Sequence, residues 1–244
     1  MKQINLYLIG MLLLISCQKG GDLFKSYGEV VSEKRQVSYF NRITVGDKFD
    51  VTLIQDSSKD GQIIMYAGKN VIKGFTTKVK NQELIISNEN KFNWVRKFDV
   101  RQKVEIYFKD LDKLSILASA HVKCIDTIYN SEIIEITQGG LEDAELNIVG
   151  DYIYVNAVNT GGVKINGRCF LLSASVDDIS FVDCRGLLPK KCFISSFSRD
   201  HSYVRSIEEL NIRVFGEGHI YYYDTLNLKK EIVFTGNSKA IKVN

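Results

Sequence analysis

Ile153-Tyr154-Val155-Asn156-Ala157-Val158-Asn159-Thr160-Gly161-Gly162-Val163-Lys164-Ile165 is one unit of a pattern that recurs along the second half of the chain. Apolar residues sit at alternate positions, Ile153 and Val155, then a small polar turn follows, and a second alternating pair, Val163 and Ile165, closes the unit. A period of two points successive side chains to opposite faces of a strand, whereas a helix spaces its apolar residues by three and four.

The same opening appears at Leu114 and Ile116, Ile134 and Ile136, Phe170 and Leu172, Phe193, Leu210 and Ile212, and Ile232 and Phe234. Successive openings are 20, 19, 17, 23, 17 and 22 residues apart. Closing pairs recur at Leu146 and Ile148, Ile179 and Phe181, Ile220 and Tyr222, and Ile241 and Val243. Between them lie turn formers such as Gln138-Gly139-Gly140, Asp177-Asp178, Arg199-Asp200-His201 and Gly216-Glu217-Gly218, which tolerate tight or left-handed backbone. A unit of this size cannot bury its apolar face alone and must stack on its neighbours. We therefore expect an all-β parallel β-helix of about seven coils over residues 114–244, each strand pairing with its equivalent about 4.8 Å away. A β-sandwich or propeller is the competing architecture, but Greek-key connections space their strands less evenly.

The chain opens with Lys2 and an apolar run from Leu6 to Ile15, shorter than the roughly 20 residues of a membrane-spanning helix. We read residues 1–16 as an export signal and residues 17–27 as a tether. Leu14-Ile15-Ser16-Cys17 resembles the bacterial lipobox, which implies cleavage before Cys17 and a diacylglycerol anchor on it. Gln18 lacks the Asp associated with inner-membrane retention, so the expected address is the outer membrane. The formal net charge of +3 and the absence of any Lys/Arg run longer than Lys190-Lys191 or Lys229-Lys230 exclude an electrostatic footprint for nucleic acid.

Residues 28–110 are strand-like without a legible repeat and are expected to form irregular first coils and a cap, continuous with the rest in one domain over residues 28–244. Asn81-Gln82 and Ser57-Ser58-Lys59-Asp60-Gly61 read as turns, and Asn70 to Gly74 as one helical turn. Gly28, Glu33, Arg35, Phe40, Ile43, Val45, Asp50-Val51, Leu53, Gln55, Ala67, Asn70, Leu84 and Ile86 follow one another in an order that resembles the auto-transporter adhesin head (GIN) domain family. The resemblance implies a right-handed β-helix and supplies no catalytic residues. Family members often carry Gly-Ser-Gly-Asp-like turns, where this chain has Ser119-Ala120-His121, Gly140-Leu141-Glu142-Asp143 and Val176-Asp177-Asp178.

Three constellations bear chemistry. Superposed units place His121, Asp143, Asp178, Asp200 with His201, Glu217 with His219, and Lys239 in one turn column. Such acids can hold a cation or act as acid and base, and they are also what a turn requires for backbone reasons. Within the column, Asp200, His201, Glu217 and His219 are the candidate metal ligands, while His121 lies about 19 Å away on the coil spacing. Cys124, Cys169, Cys184 and Cys192 permit two disulfides. Either Cys184 and Cys192 staple the loop between them, or Cys169 and Cys192 stack as inward thiols in successive coils. In Tyr221-Tyr222-Tyr223, alternation turns Tyr221 and Tyr223 outward, where rings can meet sugars or stack on the neighbouring coil. Walker, dinucleotide and His-Glu-x-x-His motifs are missing, so no cofactor is expected. These features point to an envelope lipoprotein offering a non-catalytic face to glycan or protein, with a carbohydrate-active lyase or hydrolase on the acidic column as the competitor.

Overall fold

The computed structural model describes residues 27–90, 102–223 and 228–243. The export signal, Cys17 with its lipobox, and the tether before Tyr27 lie outside the described residues. The strands are β1 (Val30–Gln36), β2 (Arg42–Val45), β3 (Phe49–Gln55), β4 (Gln62–Gly68), β5 (Phe75–Lys80), β6 (Glu83–Asn88) and β7 (Gln102–Phe108). They continue as β8 (Lys113–Ile116), β9 (His121–Cys124), β10 (Ile128–Gln138), β11 (Ala144–Ala157), β12 (Val163–Val176), β13 (Val182–Asp183) and β14 (Leu187–Ser196). The last five are β15 (Ser202–Arg205), β16 (Glu209–Val214), β17 (Ile220–Tyr223), β18 (Lys229–Phe234) and β19 (Ala240–Val243). Only two short 3-10 turns, Ser57–Lys59 and Ile72–Gly74, interrupt the strands among the described residues.

Parallel pairing makes this a β-solenoid of about six turns. One wall stacks β6, β2, β8, β10, β11, β12, β14, β16 and β18 in that order. The second stacks β7, β3, β9, β11, β12, β13, β15, β17 and β19. The long strands β10, β11, β12 and β14 bend at a corner and contribute a third, shorter wall. The interior is a ladder of equivalent side chains: Leu114, Ile136, Val155, Ala174, Ile194 and Ile212 lie one above the other and are all buried. Ile232 extends the row, half-buried, on the last coil.

The repeat is real, but its register differs from the sequence alignment. Leu114 pairs with Ile136 rather than Ile134. A slip of two residues keeps every apolar side chain on its own face, so alternation alone cannot detect it. Phe170 and Phe193 are outward and more than a third exposed, while Leu172 and Cys192 fill the interior opposite each other. The cause is the corner: Phe170 is skipped in the pairing of β12 with β14, which resets the alternation. Ile179 is likewise exposed, with Val182 and Cys184 buried in its place. Ile241 and Val243 pair with the outward Tyr221 and Tyr223, so Ala240 rather than Ile241 continues the inward row.

Glycine and serine supply what the corners need. Gly167 sits at φ +120°, and a Cβ there would lie 2.0 Å from the Ile148 carbonyl oxygen, so only glycine lets the coils approach at this bend. Buried serines bond across turns instead of packing apolar groups: the Ser198 hydroxyl donates to Ser180 O at 2.6 Å, and Ser180 to Ala157 O at 2.7 Å. The Ser180 hydroxyl thus adds a second donor to Ala157 O, which also accepts the Asp177 N–H at 2.9 Å.

The N-terminal half supplies a first coil and a cap. β2 and β3 stack directly under β8 and β9, and β6 and β7 stack on the opposite side of β2 and β3. β1 pairs antiparallel with β4, β4 with β7, and β5 with β6. The β5–β6 hairpin turns at Asn81 and Gln82, both left-handed at φ 50° and 61°, as its turn chemistry anticipates.

Candidate functional site

Parallel stacking turns every outward position into a row running along the solenoid, with neighbours about 4.8 Å apart. On the second wall one such row reads Lys123, Glu145, Lys164, Asp183, Tyr203, Tyr221 and Ile241. Its first part alternates in charge. Lys164 Nζ lies 2.9 Å from Asp143 Oδ2 and 3.3 Å from Glu145 Oε1, and those acids, Asp143 foremost, hold its ammonium above the usual lysine range. Partly exposed pairs like these stabilise weakly, by about 0–1 kcal/mol each, but opposite signs in successive coils favour this register over a one-coil slip.

Asp183 marks the transition to aromatic residues. Burial pushes its carboxyl up, but hydrogen bonds from the Arg185 guanidinium and backbone N–H outweigh that and leave it below the usual carboxylate range. The same guanidinium lies 4.6 Å from the Tyr203 ring centroid. Tyr203 stacks on Tyr221 with centroids 5.1 Å apart and planes 14° off parallel. One row over, Arg205 pairs with Tyr223 and places its guanidinium 5.5 Å from that ring. The side of the stack is flanked by His201 and His219, themselves stacked at 5.1 Å, with His201 edge-on to Tyr221 at 5.5 Å. Tyr221 and Tyr223 are thus outward, as alternation requires, and half-exposed. Their faces are not bare: Tyr203 covers one face of Tyr221, and Arg205 lies over Tyr223. A ligand approaching this wall meets ring edges, phenolic hydroxyls and guanidinium groups.

Sequence reading missed Tyr203, Arg185 and Arg205. The signal was present in the coil period, since Tyr203 precedes Tyr221 by one coil, but Ser202-Tyr203-Val204-Arg205 lacks the tyrosine triplet that draws attention to residues 221–223.

The turn column serves the backbone. Asp143 Oδ1 accepts from Gly162 N at 3.0 Å, Asp178 Oδ2 from Asn159 N at 3.2 Å, and Asp200 Oδ1 from His201 N at 2.6 Å. His201 and His219 do come together, yet not as a chelate. His201 Nδ1 accepts the His219 backbone N–H at 2.9 Å, which occupies its lone pair, and parallel rings do not converge on a point. Glu217 extends into solvent toward Arg199, 3.8 Å away. Among the described residues no three His, Cys, Asp or Glu side chains are grouped as metal ligands.

Cys124, Cys169, Cys184 and Cys192 are free and buried, so the proposed Cys184–Cys192 staple is not formed in this structure. The stacking of Cys169 on Cys192 also fails: Cys169 lies opposite Pro189, and Cys192 lies between Leu172 and Leu210. Burial pushes the Cys169 thiol up to about 12 and raises Cys184 and Cys192 as well.

At the N-terminal end, a cleft of about 640 Å³ gathers Asp50, Lys103, Glu105, His121 and Lys123, a convergence the sequence did not reveal because its members come from three separate strands. Its principal acid is committed: Glu105 accepts from the Tyr66 hydroxyl at 3.2 Å and the Tyr107 hydroxyl at 3.1 Å. His121 Nδ1 lies 3.1 Å from the Asp143 carbonyl oxygen and must carry the proton there.

The fold has solved counterparts. A protein described as a putative adhesin from Bacteroides fragilis superposes with a TM-score of 0.82 at 16% identity, covering 88% of this chain and 97% of that one. A putative adhesin from Parabacteroides merdae gives 0.63 at 14%, covering 90% and 98%. A protein described as a putative lipid binding protein from Parabacteroides distasonis gives 0.61 at 19%, covering 89% and 98%. At these identities the likeness establishes the fold alone. No curated protein matches the chain. The family model described as "Putative auto-transporter adhesin, head GIN domain" matches residues 39–225, and the chain belongs to that family.

Proposed function

We propose that this chain is a non-catalytic adhesion module, held at the outer membrane by a lipid on Cys17, that grips a surface glycan along the wall formed by Arg185, Tyr203, Arg205, Tyr221 and Tyr223. The observation that carries the reading is the aromatic stack itself: it lies on paired strands, with Tyr203 stacked on Tyr221 and the Arg185 and Arg205 guanidiniums against the Tyr203 and Tyr223 rings. Such groups donate to sugar hydroxyls and most strongly to acidic substituents. The stack lies six coil steps from β3, about 29 Å along the solenoid, which separates it from the N-terminal cap. Membership of an adhesin family and the commitment of Asp143, Asp178 and Asp200 to turn N–H groups both favour binding over turnover.

The test is a glycan array probed with the wild-type chain and a Tyr203→Phe/Tyr221→Phe/Tyr223→Phe variant, which keeps the rings and removes the hydroxyls. Binding to acidic glycans that falls at least about tenfold in the variant supports the reading. Binding that is absent, or indifferent to the hydroxyls, refutes it. Polysaccharide cleavage abolished by Asp200→Ala would establish the lyase or hydrolase instead.

A further inference from the structure

The third wall carries a groove unrelated to the aromatic stack. Its floor is the outward row Tyr129, Val149, Arg168 and Leu188, continued by Ile207, and it encloses about 800 Å³. At the corner the coils approach too closely for a side chain on Gly150, where a Cβ would lie 2.7 Å from the Asn130 carbonyl oxygen. Tyr129, Phe170, Leu188 and Ile207 are each more than a third exposed, a contiguous apolar strip of the kind that marks a binding groove rather than ordinary surface.

Charge gives the strip a direction. Along its edge Asp151, Phe170 and Lys190 follow in successive coils, so the acid lies at the Val149 end and the cation at the Leu188 end. The Arg168 guanidinium, exposed in the middle of the floor, has no hydrogen bond or ion pair among the described residues. Lys190 is partly neutralised by Glu208, 3.7 Å away, which leaves Arg168 as the principal cation. From the coil of Lys190, through that of Arg168, to Tyr129 the floor crosses two to three coil steps, about 10–14 Å, which seats the head-proximal part of an extended alkyl chain.

We infer that this groove binds a single-chain anionic amphiphile of the long-chain carboxylate class, its head between Arg168 and Lys190 and its chain over Val149 and Tyr129. The cationic end excludes a cationic head, Asp151 disfavours the reverse orientation, and the apolar floor excludes a short polar anion.

The experiment uses the full chain carrying Cys17→Ser, so that no attached acyl group competes, with palmitate as probe and hexadecanol as its neutral counterpart, both followed by calorimetry. The expected result is saturable one-to-one palmitate binding that weakens about tenfold in Arg168→Gln, with hexadecanol weaker and insensitive to that change. Tyr129→Asp, at an exposed position under the chain, should abolish binding of both while the circular dichroism spectrum remains that of the parent. Equal palmitate affinity in the parent and Arg168→Gln overturns the proposal. So does binding only to phosphatidylglycerol vesicles and not to palmitate, which would make the strip a membrane-contact surface. Loss of glycan binding in the tyrosine variant leaves this result unaffected, so the two sites fail independently.

Discussion

Replacing Ile212 by Ala tests whether stability resides in the stacking of coils. Ile212 is fully buried between Ile194 below and Ile232 above. Removing three side-chain carbons forfeits about 2.4 kcal/mol of transfer free energy. Paired strands on both sides restrain collapse around the void, so the cavity contribution brings the loss to about 3–4 kcal/mol. Ile232→Ala makes the same chemical change on the last described coil, where the side chain is already half-exposed, and should cost only about 1 kcal/mol. Urea denaturation followed by far-ultraviolet circular dichroism reads both: with a slope of about 2–3 kcal/mol per molar, the Ile212 variant should lose about 1–2 M in midpoint and the Ile232 variant under about 0.5 M. Equal losses would mean that the apolar ladder is not what couples the coils, and the solenoid energetics argued here would be wrong.

Gly167→Ala should cost at least about 3 kcal/mol, because it combines a left-handed backbone with a clash against backbone; soluble yield and urea midpoint report it, and parent-like stability refutes the close approach at the corner. The Asp183–Arg185 pair should stabilise the fold in a pH-dependent way. Because the folded carboxyl lies below its ordinary value of 3.8, its contribution is fully present above that value and disappears as pH falls through the folded one. The midpoint difference between parent and Asp183→Asn, clear at pH 6, should therefore shrink toward pH 2, and a constant difference would exclude the ion pair. Native Cys17→Ser protein should resist thiol reagents at pH 8, since Cys169 is pushed up to about 12 and the others are buried. In denaturant without reductant it should titrate four thiols; two would restore the Cys184–Cys192 bridge.

The class of fold was legible because alternation and coil period are both written in one-letter code: Ile153, Val155, Val163 and Ile165 are inward as read, and buried. Register was not. Two-residue slips leave the pattern intact, and a corner such as that at Cys169-Phe170 changes face without changing composition. The first coils and cap were legible only as irregular, because β2 pairs with β6 and β8 rather than with one successor, so no fixed period spans them. At the candidate site, Tyr221 and Tyr223 were found by local alternation, while Arg185 and Tyr203 required knowing which residues lie one coil below. The His201–His219 pairing was correctly placed in adjacent coils, but ring orientation, which decides between chelation and stacking, is not a property of sequence.

The first coil is embraced on both edges by strands made after it. Ile43 takes Leu84 on one side and Leu114 on the other, separations of 41 and 71 residues. As the chain emerges in order, that second edge stays open until the segment carrying Leu114 has followed. During this interval the nascent chain exposes an unsatisfied strand template to every neighbouring polypeptide. The later coils carry no such delay, since each finds its only prerequisite already laid down, so the vulnerable period in the life of this protein falls at its birth and ends when Leu114 arrives.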